Sequence, residues 1–159
     1  EIMWIKDNFL KNVDDVREIA LNSTYRTKDH NSFYRGFRAD VPDEYYHTIA
    51  SDILEVLKLD RARVEMYFAY QTGDTTTTDE YSRHTDQSDW AGVIYLTPKP
   101  KPHSGTILYN KENMQTNIEN RYNRLVAYNS KITHSPGYTF GDDINNARMT
   151  LTFFVYEER

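Results

Sequence analysis

The 159 residues contain no cysteine. That excludes disulfides, thiolate zinc sites, iron–sulfur clusters and a cysteine nucleophile. Any metal must be held by His, Asp, Glu or backbone oxygen, and only five His are available: His30, His47, His84, His103 and His134. Positive charge is also short, with 19 Lys+Arg against 24 Asp+Glu and a net charge of −5. Nonspecific nucleic-acid binding and anionic membrane surfaces both need dense positive charge, so both are disfavoured. No apolar run approaches the roughly 20 residues of a membrane-spanning helix. No secretory leader is recognisable, and the expected compartment is the cytoplasm. What is plentiful is aromatic: 14% of the chain, with 13 Tyr. Disordered chains are poor in such residues. The length suits one domain over residues 1–159, with a core that needs no covalent staples.

Hydrophobic periodicity divides the chain near residue 60. Residues 1–60 read as a first strand and a helical flank. Ile2 to Phe9 can supply the strand. Val13, Val16, Ile19 and Ala20 recur at helical spacing behind Asp14 and Asp15. A second helix carries Ile49, Ile53 and Leu57 on one face, with Asp40 as its expected cap and Pro42 near its first turn. Residues 61–159 alternate in strand fashion. Val64, Met66, Phe68 and Tyr70 share a face, as do Ala91, Val93 and Tyr95. Thr106 to Tyr109 is short. Leu125, Ala127 and Asn129 oppose Val126 and Tyr128, and Met149, Leu151, Phe153 and Val155 oppose Arg148, Thr150, Thr152, Phe154 and Tyr156. Short strands with turn signals between them predict a mainly β sandwich or barrel. Thr72 to Glu80 and Pro98 to Pro102 read as loops.

The chemistry concentrates in a few residues. In His84-Thr85-Asp86 the first and third side chains of an extended segment point the same way, so both can reach one ion. With about 0.4 His-x-Asp pairs expected by chance at this composition, the pair is a weak signal, and a loop His beside a turn Asp is the bland alternative. His134 follows a later strand. Two His and one carboxylate can form the facial triad of non-haem Fe(II) sites, or a hydrolytic zinc site. Arg148, with Thr150 two residues on, can form a recess for a carboxylate, since Arg binds carboxylates in two-pronged fashion. A surface Arg on an edge strand is the alternative. Tyr70 and Tyr95 sit on otherwise apolar faces. Surface positions are expected for His30, His47 and His103.

Taken in order, these motifs resemble the Fe(II)/2-oxoglutarate-dependent dioxygenase superfamily, nearest its prolyl-hydroxylase-like branch. The resemblance runs from about Val64 to Tyr156. It rests on Tyr70-Gln71-Thr72-Gly73 through Tyr81-Ser82-Arg83-His84-Thr85-Asp86, Val93-Ile94-Tyr95-Leu96-Thr97, Ser104-Gly105-Thr106-Ile107-Leu108, Arg124-Leu125-Val126 through His134-Ser135-Pro136, and Arg148-Met149-Thr150. It extends to small oxygenase-like proteins of bacteria and their phages, which would place the chain in a bacterial or phage-infected cell. Two departures stand out: a longer Tyr70–His84 stretch, and a longer spacing from His134 to Arg148.

The resemblance implies a double-stranded β-helix, a cupin-like jelly roll with flanking N-terminal helices. It implies Fe(II) on His84, Asp86 and His134, with 2-oxoglutarate as cosubstrate alongside O2. Arg148, with Thr150 or Tyr70, would hold the far carboxylate of 2-oxoglutarate, and Tyr95 and Leu108 would wall its pocket. Tyr81, Arg83 and Trp90 would lie on the substrate side. The implied reaction is hydroxylation of a C–H bond with release of succinate and carbon dioxide; Asp86 argues against halogenation, because related halogenases lack that carboxylate. The branch favours a prolyl or other protein or peptide side chain. A free amino acid or other small molecule is the alternative, a nucleic-acid substrate is disfavoured, and a non-enzymatic jelly-roll ligand-binding module is the reading from a different class. The Thr72–Glu80 and Lys99–Lys101 loops are candidate lids. No oligomer signal is present.

Overall fold

The computed structural model describes residues 3–27, 36–75 and 82–159. Its elements in order are β1 (Met3–Lys6), α1 (Val13–Leu21), β2 (Arg26–Thr27), β3 (Phe37–Asp40), α2 (Asp43–Leu57), β4 (Ala62–Gln71), a 3₁₀ turn (Gly73–Thr75), β5 (Trp90–Tyr95), β6 (Thr106–Tyr109), β7 (Gln115–Ile118), β8 (Leu125–Asn129), β9 (Thr133–Pro136) and β10 (Arg148–Glu157). Seven strands form one antiparallel sheet in the order β1-β8-β5-β10-β4-β3-β2. Three form a second sheet, β7-β6-β9. The pairs β1–β8, β5–β8, β5–β10, β4–β10 and β6–β9 bring sequence-distant strands side by side, which is the topology of a jelly roll.

The alternation along β10 separates the two sides of the larger sheet. Met149, Leu151, Phe153 and Val155 are fully buried on one side. They join Val64 and Phe68 of β4, Ile94 of β5, and Leu125 and Ala127 of β8 in the main core. The helices cover this side with their apolar stripes, Val16 and Ala20 from α1 and Ile49, Ala50, Ile53 and Leu57 from α2. The opposite phase faces the smaller sheet and builds a second cluster from Ala91, Tyr95, Leu108, Ile118, Val126 and Tyr128. A strand buried on both faces loses the clean apolar–polar alternation, which is why Ala91–Tyr95 and Leu125–Tyr128 read as nearly continuous apolar runs.

Close packing on the helix side has a local signature at Gly92. A Cβ there would sit 2.2 Å from the Val126 carbonyl oxygen and 2.4 Å from Phe153 Cζ. The Phe153 ring occupies the space that any side chain would need.

Four strands escape sequence reading. β2 has two residues; β3 is Phe-Arg-Ala-Asp; β7 is Gln-Thr-Asn-Ile with three exposed positions; β9 is Thr-His-Ser-Pro and ends on a proline. Pairing partners, not propensity, make them strands. The expected cap of the second helix is also displaced. Asp40 ends β3 and pairs with Arg26 at 3.2 Å, while Pro42 takes the N-cap position with no side-chain cap hydrogen bond. Among the described residues no helix is long and apolar enough to cross a membrane.

Because Phe153 is fully buried between sheet and helices, Phe153→Ala should cost about 3–5 kcal/mol. That corresponds to a fall of roughly 10 °C in Tm, which thermal unfolding would register. A shift under about 2 °C would mean that this layer is not the stabilising core.

Candidate metal centre and carboxylate recess

The segment leading into β5 carries His84 and Asp86, and main-chain hydrogen bonds fix it against β9. The His84 amide donates to the His134 carbonyl at 3.0 Å and the His134 amide donates to the His84 carbonyl at 2.9 Å. The Asp86 amide donates to the Ser130 carbonyl at 3.0 Å. The segment thus adds a strand-like edge to the smaller sheet. Cross-strand partners present their side chains on one face, and the two imidazole centroids lie 4.4 Å apart.

Each ring is oriented by its own backbone. His84 Nδ1 donates to the Ser82 carbonyl at 2.9 Å, and His134 Nδ1 donates to the Ile132 carbonyl at 2.7 Å. A carbonyl can only accept, so each Nδ1 carries a proton, and Nε2 is the nitrogen that each ring turns to the centre. Asp86 completes the group. Its oxygens lie 2.9 Å from His134 Nε2 and 3.7 Å from His84 Nε2, and the three ligating atoms all lie within 4.8 Å of one another. Ligands about 2.1 Å from one ion at right angles sit about 3 Å apart, so the set fits a single divalent cation. His134 is 5% exposed at its side chain and His84 49%, so the centre is closed on one side and open on the other. Lys131 Nζ donates to the Asp86 carbonyl at 2.9 Å at the rim.

Across the barrel interior lies Arg148, buried at the start of β10. Nε donates to the Ser104 carbonyl at 2.6 Å and an η nitrogen donates to the Gly105 carbonyl at 2.9 Å. A Cβ on Gly105 would lie 1.7 Å from the Ile118 carbonyl oxygen, so the close approach of β6 and β7 there admits only glycine. The guanidinium lies 5.9 Å from the Tyr95 ring centroid. Tyr95 is fully buried, with its hydroxyl 2.6 Å from Thr106 Oγ1. Thr150 pairs with Tyr95 in register and places its hydroxyl 3.0 Å from that of Thr152. Leu108 lies in register with His134. Burial raises the Tyr95 phenol above its ordinary range, while Arg148 pulls it back. Burial also raises Tyr128, reinforced by the Asp86 carboxylate and opposed by Arg148. Tyr128 packs 4.6 Å from the His134 ring and shares a buried cluster with Tyr95, whose ring lies 5.9 Å from the Arg148 guanidinium, so the His/Asp cluster and the Arg recess border one interior. Both phenols stay protonated and can donate.

The structure therefore brings together His84, Asp86, His134, Arg148, Thr150, Tyr95 and Leu108. It does not bring Tyr70, Trp90 or Arg83 to them. Tyr70 shares the phase of Val64 and Phe68, so it lies on the helix-covered side, stacked on Phe37 at 4.7 Å and edge-on to Tyr25 at 4.9 Å. Trp90 packs edge-on against Trp4 at 5.0 Å on that same side. Arg83 alternates with His84 and turns the other way, over the Tyr109 ring at 4.2 Å and onto Asn113 Oδ1 at 2.8 Å. Tyr81 and His30, and most of the Thr72–Glu80 loop, lie outside the described residues. His47 is on α2, and His103 lines a groove with Pro98, Pro100, Pro102 and residues 117–122, which no residue of the triad lines.

Two residues that sequence reading missed take their place. Tyr67 faces inward from β4, its ring under the Arg38 guanidinium at 4.4 Å, and its phenol is raised by burial and also feels Asp86. Tyr128 packs its ring 4.6 Å from that of His134. A signal for both existed: Tyr67 has the opposite phase to Val64 and Phe68, and Tyr128 the opposite phase to Leu125 and Ala127.

Since Asp86 supplies the carboxylate of the cluster among the described residues, Asp86→Asn should weaken binding of Mn(II) or Co(II) by about 100-fold in calorimetric titration. Unchanged affinity would place the cation elsewhere.

Residues 1–117 match the model of a family described as a family of unknown function, DUF6445. No curated protein matches the chain. Solved structures do. A prolyl hydroxylase from Trichoplax adhaerens, in complex with a hypoxia inducible factor oxygen degradation domain peptide fragment, is similar over 98% of this chain and 83% of its own, at 17% identity and a TM-score of 0.72. A Pseudomonas putida prolyl-4-hydroxylase is similar over 99% and 93%, at 16% identity and a TM-score of 0.71. HygX from Streptomyces hygroscopicus, with nickel, 2-oxoglutarate and hygromycin B bound, is similar over 99% and 85%, at 13% identity and a TM-score of 0.71. The two-sheet barrel, the helices on its outer side and these likenesses agree: the chain belongs to the DUF6445 family and has the double-stranded β-helix fold of the 2-oxoglutarate- and Fe(II)-dependent oxygenases.

Proposed function

We propose that the chain is an Fe(II)- and 2-oxoglutarate-dependent dioxygenase that hydroxylates a C–H bond. The observation that carries this reading is the joint presence, in one barrel interior, of a His/Asp/His cluster and a buried Arg recess. A non-enzymatic jelly roll has no need of both. His84, Asp86 and His134 would hold the metal, with the Nδ1 contacts to Ser82 and Ile132 keeping both rings in the ligating tautomer. Arg148, Thr150 and Tyr95 would hold the far carboxylate of 2-oxoglutarate, and Leu108 would flank it. Fe(II) with its cosubstrate and O2 would supply the oxidising power, releasing succinate and carbon dioxide.

The chain's own contribution is orientation and dryness. Arg148 is pre-positioned by two backbone carbonyls, so a carboxylate arriving there meets a guanidinium that has little freedom left to lose. Tyr95, Tyr128, Leu108 and Val126 exclude water from the recess. The open side at His84 leaves access for a substrate. A prolyl or other peptide side chain is the favoured target, supported by likeness to two prolyl hydroxylases, one of them bound to a peptide fragment. A small-molecule substrate is the second reading, supported by likeness to a protein that holds hygromycin B.

Anaerobic addition of Fe(II) and 2-oxoglutarate should give a visible metal-to-ligand charge-transfer band. Asp86→Ala or His134→Ala should abolish both that band and succinate formation. Arg148→Gln should instead raise the 2-oxoglutarate KM at least about tenfold, since a charge-assisted contact contributes about 1.5–3 kcal/mol. Succinate formation that survives Asp86→Ala would overturn the ligand assignment, and 2-oxoglutarate binding with no Fe(II)-dependent decarboxylation would favour a binding module.

A further inference from the structure

Three tyrosines are buried among the described residues: Tyr95, Tyr109 and Tyr128. A buried phenol normally keeps its hydroxyl in a hydrogen bond, because an unmet polar group in a dry interior is costly. Two of the three do so within the protein. The Tyr95 hydroxyl lies 2.6 Å from Thr106 Oγ1, and the Tyr109 hydroxyl lies 2.9 Å from Ser135 Oγ. The Tyr128 hydroxyl bonds none of the described residues. Tyr128 is only 4% exposed, so bulk water reaches little of it. Its oxygen is nonetheless not walled in and keeps a small contact with open space.

That space is on the inner side of the larger sheet. Tyr128 has the opposite phase to Leu125 and Ala127 of the helix-side core, and it joins Ala91, Tyr95 and Leu108 in the inner cluster. Its ring packs 4.6 Å from that of His134, centroid to centroid. In register it neighbours Ala91 of β5, and Ala91 neighbours Phe154 of β10. Ala91 offers only a methyl group, so the sheet leaves room between two large rings. The phenol therefore stands beside a metal-ligating imidazole, with a proton to give and no described residue to take it. A ring needed for packing alone would be served as well by phenylalanine, since a hydroxyl in a dry wall is a cost unless something accepts from it.

The chemistry of the centre supplies an acceptor. Ligands on one ion sit about 3 Å apart, so an oxygen bound next to His134 Nε2 comes within reach of a group packed on that ring. Arg148, tied to the Ser104 and Gly105 carbonyls, meets the far carboxylate of the cosubstrate. The end that chelates the metal, a carboxylate beside a keto oxygen, meets no such donor among the residues assigned above.

We propose that Tyr128 is a second anchor for 2-oxoglutarate, donating its phenol O–H to a metal-side oxygen of the cosubstrate. This rests on the oxygenase reading above and adds a binding residue to its site. Arg148 and Tyr128 then hold opposite ends of one small dianion.

The test is calorimetry on Mn(II)-loaded protein, which does not turn over, with two probes. One is 2-oxoglutarate. The other is oxalate, which carries the adjacent oxygens of the chelating end and no far carboxylate. Tyr128→Phe should raise the Kd of both probes by a similar factor, at least about tenfold, as expected for loss of a hydrogen bond to a charged group. Arg148→Gln should weaken 2-oxoglutarate and leave oxalate unchanged. Mn(II) affinity without either probe should stay within about twofold in Tyr128→Phe. Because the hydroxyl makes no bond to the described residues, the Tm of the unliganded Tyr128→Phe protein should stay within about 2 °C of wild type. Unchanged Kd for both probes, a loss confined to 2-oxoglutarate, a matching loss of Mn(II) affinity, or a larger fall in Tm would each overturn the proposal. If the wild type binds oxalate but not 2-oxoglutarate, the oxygenase reading fails and the oxalate ratio still decides the role of Tyr128. If it binds neither, both readings fall.

Discussion

Two main-chain hydrogen bonds between His84 and His134 hold the candidate site together. Fifty residues of chain separate the two, and neither lies in an element with strong intrinsic preference. β9 is four residues of Thr-His-Ser-Pro, and the His84 segment pairs with it as an isolated bridge. Yet this exchange sets the distance between the imidazoles, and the Asp86–Ser130 contact two residues on sets the carboxylate beside them. Side chains that must meet within ångströms are cheaply positioned when their backbones are partners in one ladder, because no long side chain then has to be ordered separately. The remaining freedom, rotation of each ring, is removed by the Nδ1 contacts to carbonyls two residues earlier in sequence. The cluster is thus pre-organised by backbone alone.

The opposite end of the barrel solves a different problem. Arg148 is a buried charge, and burying a guanidinium without compensation is costly. The Ser104 and Gly105 carbonyls meet part of that cost, and they lie just before and at the constriction where only glycine fits. The segment that delivers Arg148 is tied down as well. Thr97 Oγ1 donates to the Ala147 carbonyl at 3.0 Å and accepts from the Met149 amide at 2.9 Å. Arg17 of α1 reaches across to the Leu96 carbonyl at 2.6 Å and the Asn145 carbonyl at 3.0 Å. The N-terminal helix is therefore a brace for the start of β10 in addition to a lid on the core. Its guanidinium is a polar tie inserted between two elements that otherwise meet through apolar contacts.

Much of this was legible in the sequence, because side-chain period and order along the chain survive the loss of three dimensions. The phases of β10 and β8, both helices, the His84/Asp86/His134 set and the Arg148–Thr150 pair could all be read there. What could not be read was pairing. β2, β3, β7 and β9 owe their strand state to neighbours distant in sequence, and their own residues are too few or too polar to announce it. Tyr70 lies away from the cluster for a different reason, because its motif and its phase along β4 point to opposite sides of the sheet. Val64, Met66, Phe68 and Tyr70 share one face, that face is covered by helices, and the inward tyrosine of β4 is Tyr67.

The division of the larger sheet into two faces has a consequence for how the chain can change. Residues on the helix side, such as Leu151 and Phe153, are fully buried among apolar neighbours and answer to packing. Residues one position away, such as Thr150, Thr152 and Arg148, face the interior with polar groups that a dry core would not choose. One strand therefore carries stability and chemistry at alternate positions, and a slip of one residue in its register would exchange them. Such a slip is resisted from both sides, because β10 pairs with β4 over its whole length and with β5 over six residues. The long central strand is what lets so short a chain place a charged recess within a few ångströms of its densest core.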